Sequence, residues 1–459
     1  MIRCLKEGAS NPQHENARQT RLPDRELYRV VALIGFLSYY APQMKGSAGG
    51  EKQFEHLVDK ALRVNTELNR IKDLDLLLER FLYRARRESG ADAGTIYIRK
   101  NDELEFKYTQ NDTLQARLGN GRKLPYSAFS IPISDKSIAG FVAKHERVLN
   151  IPDMYAIDKE APYHFDPFFD KRTGYRTVSS LTIPLVSSDG ELLGVMQLLN
   201  TRSDDGKFIP FSDEDESFYK MLCLIGTNAI QRARMTRNLL ITITGFAGLR
   251  DPKETAAHVN RVGTYAIEIY ETWAKQRGIP SGDIDKSKDN LRIAAMLHDV
   301  GKIGISDTIL KKKSVFDASE RWIMESHTWL GARQFLGETD LDLTAKEVAL
   351  SHHENWDGSG YPGIIADRIE AKKPFDGGEK KLPGLRGRDI PLFARIVAIA
   401  DVYDALHSNR VYKNAWTEER VIETMRNDRG KKFDPDLFDV FLCILPTLRD
   451  IRQRFPDPK

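Results

Sequence analysis

The chain has 459 residues, enough for two to four domains that each bury a core of their own. With 41% hydrophobic and 29% charged residues and a formal net charge of +3, its composition is that of an ordinary water-soluble protein, and the charge balance calls for no nucleic-acid or anionic-membrane partner. The three cysteines, Cys4, Cys223 and Cys443, lie far apart and form no CxxC pair, which argues against a disulfide framework and for a reducing, cytoplasmic setting.

Residues 1–50 read as a loose polar tail holding one short apolar helix, over residues 30–41. That run is shorter than the about twenty apolar residues needed to cross a bilayer, so no membrane span is expected. From Glu51 to about Arg86, Phe54, Leu57, Val58, Leu62, Leu68, Ile71 and Leu74 recur at helical spacing. The stretch 51–73 is a leading helix, either one strand of a two-chain seam or a helix packed on its own domain. Residues 95–99 and 104–108 then alternate as the strands of a hairpin, 137–143 as a short helix and 148–151 as a strand. Residues 180–186 and 192–199 make a second hairpin around Asp189-Gly190. Helix, strands, helix, strands, helix implies one α+β domain with a central antiparallel sheet flanked by helices, over 74–211.

Three stretches of this region resemble a GAF sensor domain: Ser137-Ile-Ala-Gly140, Asp170-Lys-Arg-Thr-Gly-Tyr-Arg-Thr177, and Ile183-Pro-Leu185 running into Gly194-Val-Met-Gln-Leu-Leu-Asn200. GAF domains that take cyclic nucleotides carry Asn-Lys followed by Phe and Asp-Glu; here Asn200, Phe211 and Asp215-Glu216 keep the spacing, with Thr201 in place of the Lys. A small ligand on this domain, a cyclic nucleotide, is one reading. The other is that Asn200 ends a strand and 213–216 favour a helix N-terminus behind Ser212. From Ser212 a proline-free helical pattern runs to about 249, a rod of more than about 50 Å.

The remaining part, 250–455, holds six of the ten histidines. Asp251-Pro-Lys-Glu254 reads as a helix start with Asp as N-cap, so Glu254 is either a capping residue or, four before His258 on the same face, a ligand. His298 and Asp299 end the apolar helical run that begins at Leu291, and burying an unpaired carboxylate there costs several kcal/mol unless a cation meets it. His352-His353 is an odd core dipeptide, because adjacent helical side chains diverge; both can be ligands where a helix end turns. Asp401 closes the apolar run that begins at Ala394. With His327 these make five His, two Asp and one Glu, a donor set suited to two or three divalent ions bridged by Asp299.

After the histidine pair comes Asn355-Trp-Asp-Gly-Ser-Gly-Tyr-Pro362. With Glu254-xxx-His258, His298-Asp299-xx-Lys302, His327, His352-His353, Gly360-Tyr361-Pro362 and Asp401-Val-Tyr-Asp404 in order, the segment resembles the HD-GYP phosphodiesterases, an all-α, metal-dependent phosphohydrolase family. The resemblance implies metal ligation by Glu254, His258, His298, Asp299, His327, His352, His353 and Asp401, with iron or manganese in the site. It implies catalytic roles for Asp299 and Lys302 and substrate contacts from Gly360, Tyr361, Asp404, Arg410 and Lys413. One departure is the twenty-seven residues from Gly363 to Asp389, where the family uses about ten; their charge, Gly and Pro indicate a surface loop.

The architecture expected is thus multidomain: an α+β GAF domain joined by a long helix to an all-α HD-GYP domain, in a homodimer. The expected reaction is hydrolysis of cyclic di-GMP to pGpG or GMP. A non-catalytic receptor for the same dinucleotide, and a hydrolase of 3′,3′-cyclic GMP-AMP, are the alternatives.

Overall fold

The computed structural model describes residues 50–118, 129–251, 255–364, 383–407 and 416–457. The expected N-terminal apolar helix, Glu254, most of the 363–389 insertion, Arg410 and Lys413 fall outside them. The chain divides into two compact units, residues 1–62 and 63–459.

The helical pattern from 51 to 86 is two helices, α1 (Gly50–Leu68) and α2 (Leu74–Ser89). The break is chemical: Asp73, extended at φ −77°, accepts from the amides of Asp75 and Leu76 and so starts a new helix. Strands β1 (Ala91–Lys100) and β2 (Glu103–Asn111) form the expected hairpin, followed by α3 (Asp112–Leu118) and β3 (Ser130–Pro132). Next come α4 (Ile138–His145), capped by Ser137, β4 (Leu149–Ile151), α5 (Phe168–Thr173), β5 (Ser180–Val186), β6 (Leu192–Arg202) and β7 (Phe208–Ile209). The sheet is antiparallel throughout, in the order β3-β2-β1-β6-β5-β4 with β7 on β6, so consecutive hairpins are joined through the central β1–β6 pair.

A single 38-residue helix, α6 (Asp213–Arg250), leaves the sheet. Ser212 caps it as expected: its hydroxyl accepts from the Asp215 amide, and the Asp215 carboxylate accepts from the Ser212 amide. Beyond it the described chain is helical: α7 (Ala256–Gln276), α8 (Ser281–Met296), a 3-10 turn (Val300–Gly304), α9 (Asp307–Leu310), α10 (Ala318–Glu325), α11 (His327–Ala332) and α12 (Asp340–Ser351). Then follow α13 (Leu392–His407), α14 (Glu418–Asn427), α15 (Pro435–Cys443) and α16 (Leu445–Arg454). Val262, Tyr265 and Ile269 of α7, Leu291 and Ala294 of α8, Val348 of α12 and Ile396, Ile399 and Tyr403 of α13 share one buried core with Phe438 and Phe441 of α15. These positions repeat every three or four residues, so each helix turns one apolar stripe inward.

The sheet domain and the helical domain are pinned together by buried charge. The Asp289 carboxylate on α8 accepts from the amides of Lys72 and Asp73. Three residues on, Arg292 is 2% exposed and pairs with Asp73 Oδ2 and Asp75 Oδ2, each at 2.7 Å. Arg237 of α6 and Arg454 of α16 also face Asp75, at 3.3 and 3.4 Å. Burial would raise the Asp75 carboxyl, but Arg237, Arg292 and Arg454 outweigh it and hold it well below the usual carboxylate range.

A candidate dinuclear metal centre

Each expected metal ligand among the described residues sits where a helix begins, ends or crosses another. His258 lies in the first turn of α7, which starts at Ala256 with Thr255 as N-cap, its hydroxyl accepting from the His258 amide. The Asp251 start expected from the sequence is corrected: Asp251 directly follows α6, is 5% exposed, and faces Lys302 Nζ at 3.4 Å. His298 and Asp299 lie just past the end of α8, where the backbone turns into the 3-10 segment and lets neighbouring side chains converge. His327 opens α11, and His352 caps the C-terminus of α12, leaving His353 beyond the helix. Asp401, expected at the end of a helix, instead sits within α13, which continues to His407 because its apolar face goes on into the core through Tyr403.

Two groups of donors result. Asp299, His327, His352 and His353 form one, and His258, His298 and Asp401 the other; within each the ligand atoms lie inside 4.8 Å of one another. Asp299 joins them: its Oδ2 is 3.3 Å from His298 Nε2, and its Oδ1 is 3.1 Å from His327 Nε2 and 3.5 Å from His352 Nε2.

The protonation pattern shows what such a cluster wants. His298 Nδ1 lies 2.7 Å from the Ala295 carbonyl, His327 Nδ1 2.7 Å from the Met324 carbonyl, and His352 Nδ1 3.0 Å from the Val348 carbonyl. A carbonyl only accepts, so each Nδ1 carries the hydrogen and each Nε2 turns a lone pair inward. His327 Nε2, His352 Nε2 and Asp299 Oδ1 are buried, and no described residue gives them a hydrogen bond. Lone pairs facing a carboxylate in a buried site repel unless cations lie between them. The donor set, imidazole and carboxylate, therefore fits divalent metals. Burial holds His353 well below, and His352 below, the ordinary imidazole range, which keeps both neutral and able to ligate. Burial would raise the Asp299 carboxyl, but the Lys302 ammonium beside it outweighs burial and holds it well below the usual carboxylate range. Lys302 Nζ lies 2.7 Å from Asp299 Oδ2 and is the cation nearest that oxygen among the contacts described.

Two glycines make the close packing feasible. A Cβ on Gly301 would lie 1.8 Å from the His327 carbonyl oxygen, so the turn after Asp299 can touch α11 only with a glycine there. A Cβ on Gly360 would lie 2.3 Å from the Asn355 amide nitrogen and 2.6 Å from Glu354 Cα. That contact returns Tyr361 onto the His353 ring, with centroids 4.8 Å apart, across a cis Tyr361–Pro362 bond. Glu354, absent from the sequence expectations, is 3% exposed and accepts from the amides of Gly363 and Leu385, clamping both ends of the long insertion beside the histidine pair.

Asp404 departs from the substrate contact expected of it. It is 1% exposed; Oδ1 accepts from Arg261 Nε at 2.6 Å, and Oδ2 from Arg261 Nη2 and His258 Nδ1, both at 2.8 Å. The carboxylate stands behind His258, away from the other ligands. Arg261 was not among the expected site residues, although its place one turn after His258 on a buried helix face could have marked it.

Family models match the chain twice: the GAF domain over residues 73–230 and the HD domain over residues 255–406. The chain carries a GAF domain followed by an HD domain. Similar curated proteins include a 3′3′-cGAMP-specific phosphodiesterase 2 of Vibrio cholerae, 38% identical over 45% of this chain and 34% of its own length. A cyclic di-GMP phosphodiesterase of Vibrio cholerae is 33% identical over 49% of this chain and 43% of its own, and one of Thermotoga maritima 35% identical over 44% and 48%. The chain spans less than half the length of each of these relatives. Within the GAF domain, Asn200 is fully buried and spends its amide on the fold: Oδ1 accepts from the Val178 and Ser179 amides, and Nδ2 donates to Tyr175 and to the Arg176 carbonyl. No described helix is long and apolar enough to cross a membrane.

Proposed function

We propose that this chain is a phosphodiesterase of the HD-GYP type that hydrolyses cyclic di-GMP to pGpG or GMP, with iron or manganese in its site, under control of the GAF domain. The observation that carries the reading is the position of Asp299, with one oxygen toward each donor group. Divalent ions in such a pair of sites supply an acidified water and hold the non-bridging oxygens of a phosphodiester.

The protein's own groups do the rest. Nδ1–H bonds to backbone carbonyls fix the histidine rings, so no reorganisation is needed as charge develops. Lys302 places a cation beside Asp299, at the edge where a phosphate would lie. Burial pushes the Tyr361 hydroxyl far above its usual range, so Tyr361 stays a neutral donor next to His353. Arg410 and Lys413, three and six residues past the end of α13, are the proposed contacts to guanine and phosphate. Glu254, four residues before His258, is the proposed ligand of a third ion. We place the boundaries at 74–211 for the sensor, 212–249 for the rod and 250–455 for the phosphodiesterase. An exposed apolar stripe on α6, Met235, Leu239, Phe246 and Leu249, supports a homodimer through the rod. The sensor is taken to bind a small molecule; with Asn200 spent inside the fold, nothing favours a cyclic nucleotide over other ligands.

A second reading, hydrolysis of 3′,3′-cyclic GMP-AMP, is supported by the relative of that name. The test is an anaerobic assay of the full chain with reduced iron or manganese, in which the two dinucleotides compete, products are separated and bound metals are counted. Turnover of cyclic di-GMP with two or three metals per chain supports the proposal. Preferred turnover of the mixed dinucleotide moves it to the second reading, and binding without turnover makes the protein a receptor.

A further inference from the structure

Behind His258 lies a polar chain, buried at Asp404 and Arg261, that continues through the partly exposed C-terminal segment to the sheet domain. Asp404 holds His258 Nδ1 at 2.8 Å, and since a carboxylate only accepts, a ring hydrogen sits on Nδ1 and Nε2 is the atom turned inward, 3.8 Å from Asp401 Oδ1. Arg261 grips both Asp404 oxygens and is itself 2% exposed. Its Nη1 donates to the Phe455 carbonyl and pairs with Asp457, both at 2.8 Å. The residue before Phe455 is Arg454, which closes α16 and reaches Asp75 Oδ1 of the sensor domain at 3.4 Å and the face of the Tyr108 ring at 5.5 Å.

We infer that Arg261 and Asp404 are a positioning pair that fixes the ring orientation and tautomer of His258, and that the C-terminal segment Arg454–Asp457 props this pair against the sensor domain. The inference rests on the proposed metal-dependent reaction but makes a claim of its own about which ion is affected. The physical reason is that a planar guanidinium matches a carboxylate in a two-point grip and cancels its charge. The gripped Asp404 can then serve as an oriented acceptor for His258 without turning inward to become a ligand. In the group around His327, His352 and His353, the Nδ1 atoms of His327 and His352 rest instead on backbone carbonyls. Damage to the pair should therefore reach one ion and spare the other, whereas loss of fold would reach both.

The test uses full-length protein carrying Arg261→Gln, Arg261→Lys, Asp404→Asn or Arg454→Gln, titrated with manganese under calorimetry and checked by melting temperature. One of two resolved sites should lose about 10–100-fold in affinity in Arg261→Gln, the size usual for an outer-shell partner of a ligating histidine, while the other stays within about threefold. Arg261→Lys should fall between, because it keeps the charge and loses the fork. Arg454→Gln should shift the same site in the same direction by less. In metal-free protein labelled with 15N-histidine, wild type should show His258 as the Nδ1–H tautomer and Arg261→Gln a mixture. Equal weakening of both sites, or unchanged affinity with an unchanged tautomer, overturns the inference. Variants that show this asymmetry, in a protein whose wild type binds both ions yet cleaves no cyclic dinucleotide, would overturn the proposed function and leave the positioning pair standing.

Discussion

Arg292→Met removes a buried guanidinium while keeping an unbranched side chain of similar reach. It strips Asp73 and Asp75 of a cation that lies 2.7 Å from each, at a site open to solvent by only 2%. Removing one partner of a buried ion pair costs about 3–5 kcal/mol, because the remaining charge is left uncompensated. Here part of the compensation survives. Asp75 keeps Arg237 at 3.3 Å and Arg454 at 3.4 Å, and Asp73 still accepts from the amides of Asp75 and Leu76. The lower end of the range, about 3 kcal/mol, is therefore expected, or about a hundredfold in the equilibrium for opening the junction. Hydrogen exchange on the full chain should show it as about hundredfold faster exchange in a peptide covering residues 72–77, whose Lys72 and Asp73 amides are bonded to Asp289, with the central β1 and β6 strands unchanged. Adding Asp75→Asn should recover part of the loss, since deleting both charges leaves less buried charge unpaired. Exchange at 72–77 that matches wild type would refute the electrostatic account. A double variant worse than the single one would assign the effect to packing.

Other consequences can be measured on the same protein. Asp299→Ala should remove at least one ion per chain by elemental analysis and abolish turnover, and a variant that keeps both would end its bridging role. Gly301→Ala forces a Cβ to within 1.8 Å of the His327 carbonyl oxygen, so α11 must shift and turnover should fall about a hundredfold, the usual cost of a displacement near 1 Å. Full activity in that variant would mean the turn and α11 can separate freely. Glu254→Gln should lower the metal count from three to two and slow the second cleavage, from pGpG to GMP, more than the first; an unchanged count denies Glu254 a ligand role. Because the folded-state pKa of Asp75 is depressed, its stabilising contribution is fully present above about pH 4 and is lost as pH falls below that value. The difference in unfolding midpoint between wild type and Asp75→Asn should therefore shrink from pH 6 to pH 3, and a constant difference would contradict the depressed value.

Much of this molecule is written in local pattern. Alternating runs and an Asp-Gly turn mark the hairpins, a proline-free apolar stripe behind Ser212 marks the rod, and the ordered His, Asp and Gly-Tyr-Pro motifs mark the candidate metal ligands. Those signals are legible because each depends on spacing along the chain: period two for a strand facing a core, three to four for a helix stripe. What spacing cannot carry is the partner a side chain meets from another segment. Asp73 reads as one more residue of a helical stretch until its cap divides that stretch in two. Asp251 has the form of an N-cap, yet Thr255 takes that place and Asp251 faces Lys302 across the site.

Asp404 shows the limit most clearly. One turn past Asp401, it shares a helix face with a candidate metal ligand and so reads from the sequence as part of the open site. The crossing of α13 with α7 instead presents it to Arg261 and His258. The order of residues alone determined that this chain would place imidazoles and carboxylates on its apolar helices and at their ends. Only the tertiary structure decided which nitrogen of His258, His298, His327 and His352 faces inward, that Asp299 stands between the two groups, and that Arg292 and Arg454 tie the sheet domain to the helical one. The physical reason is the same in each case: the protonation state and energy of a buried polar group depend on the atoms within a few ångströms of it, and here those atoms come from positions far apart in the chain.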